Sequence, residues 1–315
     1  MLFQDDLSPK DFLFNPFIGC SFRERIRDLA DKIFCRPIYR ISYHKKFSSL
    51  SYPVDLTLPE RGLSTLARRN LVNKYVPINN SRILVLGCGT GLDFGTWFKF
   101  KPKEIVGVDL LNFSNCWKQI KNYVTKNGLN TQLSFYQIDV SEIDQFKLGE
   151  FDIICSDAVF EHCRDLKTVL RTLHRHLHKD GIIYASYGPL WYCWAGDHFS
   201  GRGGIEAGYN HLLLDDNEYL KFINKYRGDI NYELQNGGGG LFVELDLFSK
   251  LSGNEYIELY RQNNFQLEEM ITEFSNEAQK SISSSDIRDK LLNKFPNFTI
   301  DDFLLKTHIA ILSKK

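Results

Sequence analysis

The sequence has no long hydrophobic run, although 43% of its 315 residues are apolar. No stretch of about 18 consecutive apolar residues occurs, and this absence predicts a chain without a transmembrane helix. The first residues also lack the basic flank and the apolar core of a secretory signal. We therefore expect no transmembrane segment and no secretory leader.

The chain has no excess of charge of either sign, because 39 Lys and Arg residues balance 39 Asp and Glu residues. Broad nucleic-acid binding usually shows as a basic excess, so we expect no nucleic-acid partner. Seven cysteines occur without C-x-x-C spacing. That usage is typical of reduced, partly buried thiols and predicts a cytoplasmic location.

A glycine-rich turn is the most informative feature that is present. The apolar segment 82–86 reads as a buried strand, and glycines follow it at Gly87, Gly89 and Gly91. Glycines at alternate positions allow the backbone to pass close to a ligand. The next predicted strand ends on Asp109, whose carboxylate could accept hydrogen bonds from two ribose hydroxyls. Together these features indicate a cofactor that contains a nucleoside.

The spacing of the glycines separates two classes of cofactor. Dinucleotide-binding folds use G-x-G-x-x-G, which would require a glycine where Leu92 stands. A nicotinamide-dependent oxidoreductase is therefore the weaker alternative.

Strands and helices alternate along most of the chain, which predicts a three-layer α/β/α sandwich with a mostly parallel sheet. The predicted strands cover residues 82–86, 104–109, 133–139, 151–156, 182–187, 265–274 and 307–312. We divide the chain into an N-terminal helical extension (1–80), a cofactor-binding core (81–187), an insertion after the fifth strand (188–247) and the C-terminal part of the core (248–315). The insertion is rich in aromatic residues and includes a glycine run at 236–240. The insertion is interpreted as a cover over the cofactor pocket, and the glycine run as a mobile lid, a long hairpin turn or a plain flexible connection.

Residues 22–46 combine an apolar stripe at helical spacing with eight basic and three acidic residues. One interpretation is a helix that contacts a membrane surface or an anionic substrate. The other, which we adopt as the expectation, is a helix that packs its stripe on the core and leaves its basic face in solvent.

The G-x-G-x-G loop and the acids at successive strand ends resemble class I S-adenosylmethionine-dependent methyltransferases. The resemblance implies a seven-stranded sheet with a final edge hairpin, and S-adenosylmethionine as the cofactor. It implies that Asp109 binds the ribose, that Asp139 meets the adenine amino group and that Ser156 borders the methyl group. The glycine loop would contact the methionyl part. The full set of cofactor-binding residues expected on this basis is Gly87, Cys88, Gly89, Gly91, Asp109, Leu110, Asp139, Val140 and Ser156.

One residue departs from the family pattern. The family usually carries an acid two residues before the first glycine, and this chain has Val85 there. Either cofactor binding is weaker, or another acid nearby compensates. The departure also keeps open a binding module of the same fold that does not catalyse.

Two histidines are the candidates for chemistry on the methyl acceptor. His162 follows Glu161 after the fourth strand, where related methyltransferases carry an acid–His pair, some of them within a metal-binding E-x-x-E-H motif. Ala158 replaces the first acid of that motif, so we expect no metal. His162 is then a base or a substrate contact, or it merely packs between helix and sheet.

His198 follows Asp197 in the aromatic insertion. A carboxylate can orient an imidazole as a general base, although a surface loop with a capping Asp is the plainer explanation. We therefore expect a methyltransferase that acts on a small-molecule, lipid or sugar-type acceptor, with His198, His162 and Asp197 as its catalytic residues.

Overall fold

The computed structural model describes residues 5–43, 45–47, 49–60, 62–226 and 247–315. A single eight-stranded sheet has the strand order β1-β7-β8-β6-β5-β2-β3-β4. The strands are β1 Leu56–Pro59, β2 Arg82–Leu86, β3 Glu104–Asp109, β4 Gln132–Gln137, β5 Phe151–Asp157, β6 Leu177–Tyr187, β7 Phe265–Phe274 and β8 Leu305–Lys314.

All neighbouring strands are parallel except β8, which runs antiparallel to both β6 and β7. The chain winds outward from β2 to β4 in one direction and from β5 to β6 in the other. A crevice therefore opens beyond the carboxyl ends of β2 and β5, where doubly wound sheets bind their ligands.

Helices cover both faces of this sheet, which gives the expected three layers. One core cluster packs α3, α4 and α5 against the sheet, and the other packs α6, α9 and α11 against it. The α-helices are α1 Phe22–Ala30, α2 Arg36–Ser42, α3 Thr65–Tyr75, α4 Phe94–Phe98, α5 Ser114–Lys126, α6 Leu166–His176, α7 Asn210–Leu213, α8 Asp216–Tyr226, α9 Gly253–Gln262, α10 Asn276–Ile282, α11 Ser285–Lys294 and α12 Ile300–Leu304.

The mostly parallel α/β sandwich is confirmed, but the predicted count of seven strands is wrong. The additional strand is β1, which pairs in parallel with β7 at the edge of the sheet. It has only four residues, and their burial is continuous rather than alternating. A short run of this kind gives no periodic signal in a sequence.

The N-terminal region contributes more than helices, because its strand β1 and its helix α3 both belong to the core. Its first helix α1 continues through a π-helical turn, Asp31–Cys35, into α2. The apolar stripe on these helices faces outward, so the expectation that it packs on the core is wrong. The buried side carries Asp28 and Asp31 instead.

The insertion begins after β6 and contains the short helices α7 and α8. The glycine run at 236–240 lies outside the described residues, so its role as a lid stays a prediction. The division of the chain into four parts also stays a prediction. No helix in the described part of the chain has the length and apolar character needed to cross a membrane.

A buried arginine ties the N-terminal region to the sheet. Arg69 of α3 is fully buried, and its guanidinium donates a 2.8 Å hydrogen bond to Asp157 at the end of β5 and another to Asp93 before α4. It also lies 4.1 Å from the ring centroid of Trp97 and donates to the hydroxyl of Thr96. One side chain thus holds α3, α4 and β5 together.

We expect Arg69→Met to lower the free energy of unfolding by about 3–5 kcal/mol, because two carboxylates would lose their buried counter-ion. Chemical denaturation of the purified protein measures this change. The control is Lys74→Met, whose exposed ion pair with Glu269 is worth about 1 kcal/mol or less. Equal effects of the two substitutions would show that Arg69 does not hold these elements.

Candidate active site

The glycine loop after β2 has a backbone that requires glycine. Gly87, Gly89 and Gly91 all have positive φ angles, +56°, +47° and +72°. A Cβ atom at Gly87 would lie 2.3 Å from Val159, and one at Gly91 would lie 2.3 Å from Ile120. A Cβ atom at Gly89 would have no described atom within 4 Å. Gly87 and Gly91 therefore pack within the fold, whereas Gly89 borders the space into which a ligand could fit.

Asp109, at the end of β3, is 8% exposed and holds this loop. Its Oδ2 accepts a 2.6 Å hydrogen bond from the Gly89 amide, and its Oδ1 accepts one of 2.8 Å from Leu111. Burial raises the pKa of this carboxyl, while the backbone donors act in the opposite direction. Since a carboxylate has about four acceptor positions, it can still accept hydrogen bonds from ribose hydroxyls.

Trp117 supports the same loop from α5, and the sequence did not single it out. Its indole N–H donates a 2.7 Å hydrogen bond to the Gly89 carbonyl, and its ring stacks on Phe135. The side chain of Cys88 is buried, and burial raises the pKa of its thiol. A cofactor would therefore meet the backbone of Cys88 rather than its sulfur.

The adenine side of the expected site is open. Leu110 is 49% exposed beside Asp109, and its side chain offers an apolar surface. Asp139 is exposed two residues beyond the end of β4 and accepts hydrogen bonds from the amide and the hydroxyl of Ser141. This contact caps the 3-10 helix Val140–Phe146. The contact of Asp139 and Val140 with adenine stays a prediction.

Acids lie beside the loop although Val85 replaces the usual one. Val85 is itself buried in the core. Asp93 follows the glycine loop and Asp157 ends the neighbouring strand β5, where the two share Arg69. Burial alone would raise the pKa of Asp157, but Arg69 and Arg68 hold it below its usual value. At least one ionised carboxylate therefore lies at this edge of the sheet.

Ser156 precedes Asp157 and is fully buried. Its hydroxyl oxygen has no hydrogen-bond partner among the described residues. It therefore keeps its hydrogen-bonding capacity at the end of β5, where the resemblance expects the methyl group.

Beyond the end of β5, the structure brings both candidate histidines together. The ring centroids of His162 and His198 lie 4.9 Å apart, and the ring of Phe248 packs against both. Potential ligand atoms of Glu161, His162 and His198 all lie within 4.8 Å of one another. We call these three residues the Glu–His–His cluster.

The environment of the Glu–His–His cluster sets its protonation. Burial lowers the pKa of His162 to about 3 and that of His198 to about 4. Burial also raises the pKa of Glu161 to about 8, against the hydrogen bond that its Oε1 accepts from the Gly188 amide. Both imidazoles are therefore neutral near pH 7, the form that can accept a hydrogen bond.

Asp197 does not have the surroundings expected for a residue that orients His198. It is fully buried, and its carboxylate accepts hydrogen bonds from Ser200 and Tyr219 and lies 3.6 Å from His211. These contacts join different segments of the insertion to one another. Asp197 therefore has a structural role in the insertion, and its expected catalytic role stays a prediction.

Comparison with known proteins gives a family match in the central part of the chain. Residues 84–185 match the family described as a methyltransferase domain. A malonyl-[acyl-carrier protein] O-methyltransferase of Bacillus anthracis is 34% identical over 130 residues, 39% of this chain and 42% of that protein. The protein of the same name in Bacillus cereus is 35% identical over 118 residues, 37% of this chain and 40% of that protein. The chain thus spans less than half the length of these relatives.

Among solved structures, an S-adenosylmethionine-dependent methyltransferase from Mesorhizobium loti covers 78% of this chain and 95% of its own length, at 15% identity and a TM-score of 0.44. The family match covers the glycine loop and the segment from β3 to β5, which contains Asp109, Asp139 and Ser156. Residues 84–185 therefore match a methyltransferase domain, in agreement with the resemblance of the glycine loop and the strand-end acids to class I S-adenosylmethionine-dependent methyltransferases.

Proposed function

We propose that this protein transfers a methyl group from S-adenosylmethionine to a small-molecule, lipid or sugar-type acceptor in the cytoplasm. The observation that carries the proposal is the joint geometry of Gly89 and Asp109. The open side of Gly89 lies where the strand order reverses, and Asp109 is fixed against it by a 2.6 Å hydrogen bond. A nucleoside cofactor needs both an open backbone and a carboxylate at this place.

The residues fit S-adenosylmethionine in three respects. Gly89 leaves room for the methionyl part, Asp109 keeps acceptor capacity for the ribose, and Leu110 offers an apolar surface for the adenine ring. When bound, the cofactor supplies an electrophilic methyl group on a sulfonium. Asp157 and Asp93 favour an active methyltransferase over a non-catalytic binding module of the same fold, because they place carboxylates beside the loop that lacks the usual acid.

The Glu–His–His cluster lies on the acceptor side. Methyl transfer forms a bond from the acceptor atom to the methyl carbon and breaks the carbon–sulfur bond, whose electrons stay on sulfur. The acceptor then loses its proton, and neutral His162 or His198 can receive it. Phe248 and Trp191 pack beside the cluster with their ring centroids 5.3 Å apart, and their apolar rings restrict water there.

The names of the relatives support an oxygen atom as the acceptor. Both are O-methyltransferases, and their matches with this chain cover 118 and 130 residues. A hydroxyl oxygen must lose its proton on methylation, and the cluster places two neutral imidazoles near it, whereas a carboxylate oxygen needs no base.

We expect Asp109→Ala to weaken the binding of S-adenosylhomocysteine, the reaction product, by about 1–3 kcal/mol, because the ribose hydroxyls lose their buried acceptor. Calorimetric titration measures the affinity, with one site per chain expected for the unmodified protein. The matched control is Asp144→Ala, which removes an exposed acid paired with Arg175 and should leave the affinity unchanged.

Unchanged affinity in Asp109→Ala would overturn the ribose assignment. Absence of binding by the unmodified protein at millimolar ligand would overturn the methyltransferase proposal itself. Circular dichroism of each variant separates loss of the site from loss of the fold.

We expect His198→Ala to slow methyl transfer about 100-fold or more while the affinity for S-adenosylhomocysteine stays the same, since general bases contribute rate enhancements of that order. Turnover is measured as product release with an acceptor found by screening hydroxyl- and carboxyl-bearing molecules. His178→Ala, at the opposite end of β6, is the control. Loss of cofactor affinity in His198→Ala would instead place His198 against the cofactor.

A further inference from the structure

The Glu–His–His cluster combines two imidazoles and one carboxylate from two distant parts of the chain. Glu161 and His162 follow β5, and His198 comes from the insertion after β6. Their potential ligand atoms lie within 4.8 Å of one another. Sequence comparison with the E-x-x-E-H motif predicted no metal because Ala158 replaces the first acid. The structure supplies a third donor from a different segment.

Glu161 adds an independent observation. The residue is 2% exposed, and its Oε1 accepts the hydrogen bond from Gly188. Its Oε2 is buried and has no hydrogen-bond partner among the described residues. A buried carboxylate oxygen without a donor costs free energy unless a proton or a cation satisfies it.

The backbone conformation of His198 also indicates that its imidazole is held in a fixed position. Its φ of +61° lies in the left-handed region, which a residue with a side chain rarely adopts. Such a conformation persists only where its surroundings impose it, and here it accompanies an imidazole that lies against His162.

We propose that Glu161, His162 and His198 bind one divalent first-row transition-metal ion, such as Zn²⁺, Fe²⁺ or Mn²⁺. Two imidazoles and one carboxylate form a donor set that suits these ions better than Mg²⁺ or Ca²⁺. Three protein ligands leave coordination positions open for a further oxygen ligand. An imidazole that ligates the ion cannot also receive the acceptor's proton, so the base role given to His162 or His198 under the proposed function applies to the protein without the ion. That the acceptor occupies these positions through its oxygen atoms rests on the proposed function. The binding of the ion itself does not.

Cobalt is the probe, because Co²⁺ bound to nitrogen and oxygen ligands absorbs visible light. Metal-free protein is titrated with Co²⁺ and followed by its visible absorption, and Zn²⁺ is then added as a competitor. We expect saturation at one ion per chain and displacement by Zn²⁺. Glu161→Gln, which keeps the acceptor for Gly188, and His198→Ala should each weaken binding about 100-fold. His178→Ala should bind as the unmodified protein does.

Failure of the unmodified protein to bind Co²⁺ saturably would overturn the metal site, whatever the variants do. Equal binding by the unmodified protein, Glu161→Gln and His198→Ala would place the ion elsewhere and overturn it as well. S-adenosylhomocysteine titration of the metal-free protein separates this result from the proposed function, because the cofactor site has different residues.

A second inference rests on the outward face of the N-terminal helices. The apolar stripe is defined by Phe22, Ile26, Leu29, Ile33, Phe34, Ile38 and Ile41, every one of which is more than half exposed. Phe22 is 77% exposed and Ile41 is 69% exposed. Contiguous exposed apolar surface of this kind marks an interaction site in folded proteins.

The charges around the stripe identify its partner. The two inward acids have basic partners on the same helices, since Asp28 pairs with the half-exposed Lys32 and accepts from Asn70, and Asp31 pairs with Arg36. The exposed basic residues beside the stripe are Arg23, Arg25, Arg27, Lys32 and Arg40. The outward face is therefore apolar at its centre and basic at its margins.

We infer that this face lies on an anionic lipid bilayer, with α1 and α2 parallel to the membrane surface. An apolar face flanked by Arg and Lys is the pattern of helices that insert shallowly between headgroups. A second copy of the chain is a poorer partner, because it would bring two basic margins together.

Sedimentation with vesicles tests this inference on the whole chain. We expect binding to vesicles of equal parts phosphatidylcholine and phosphatidylserine, and much weaker binding to phosphatidylcholine alone or at high salt. The double variant Ile26→Ser with Ile33→Ser should bind about tenfold more weakly, because two apolar side chains no longer enter the bilayer. Leu220→Ser, on the exposed side of α8, is the control.

No binding to anionic vesicles, or equal binding by the double variant and the unmodified protein, would overturn the inference. Dimerisation at micromolar concentration that the double variant abolishes would assign the face to a second copy and would also overturn it. Because all of the substituted side chains are exposed, the variants should fold.

Discussion

The buried guanidinium of Arg69 is the interaction on which the arrangement of this site depends. It joins a helix that precedes the sheet to an acid that follows the glycine loop and to the acid that ends β5. These two acids flank the point where the sheet reverses its strand order. The positive charge therefore allows carboxylates to accumulate beside a loop whose own sequence carries an apolar residue at Val85. The ion pairs of Arg69 thus connect the N-terminal region to the cofactor region.

Much of the sheet could be predicted from the sequence because its central strands are buried on both faces. The predicted and observed limits agree for β2 and β3, where runs of apolar residues end at a glycine or at an acid, and they also agree for β7. The edge strand β1 was not predicted, because four residues are too few to show a periodic pattern. Strand β6 begins at Leu177 rather than at residue 182, since the segment expected to turn continues as strand. Leu177 pairs with Phe151 and Ile182 with Ile153, so residues 178–181 form an irregularity within the strand.

The acceptor side was less predictable, because it depends on contacts between distant segments. The sequence singled out His162 and His198 separately, but 36 positions separate them, and only the fold brings their rings together. Asp197 was expected to serve His198 because it is adjacent in sequence. Adjacent side chains in a turn point in different directions, and Asp197 turns toward Tyr219 and Ser200. The exposure of the apolar stripe was not predicted for a related reason. Periodicity shows that a helix has an apolar face, but not whether that face points to the core or to solvent.

The π-helical turn between α1 and α2 determines whether the exposed apolar stripe of these two helices forms one continuous surface. An ideal α-helix advances about 100° per residue, so the five-residue step from Ile33 to Ile38 would carry the side chain about 140° around the axis. The wider turn at Asp31–Cys35 absorbs one residue. It returns Ile38 and Ile41 to the side of Phe22 and Ile26. Removing one residue from this turn would keep the composition of the helices unchanged while splitting one continuous surface into two strips that face different ways.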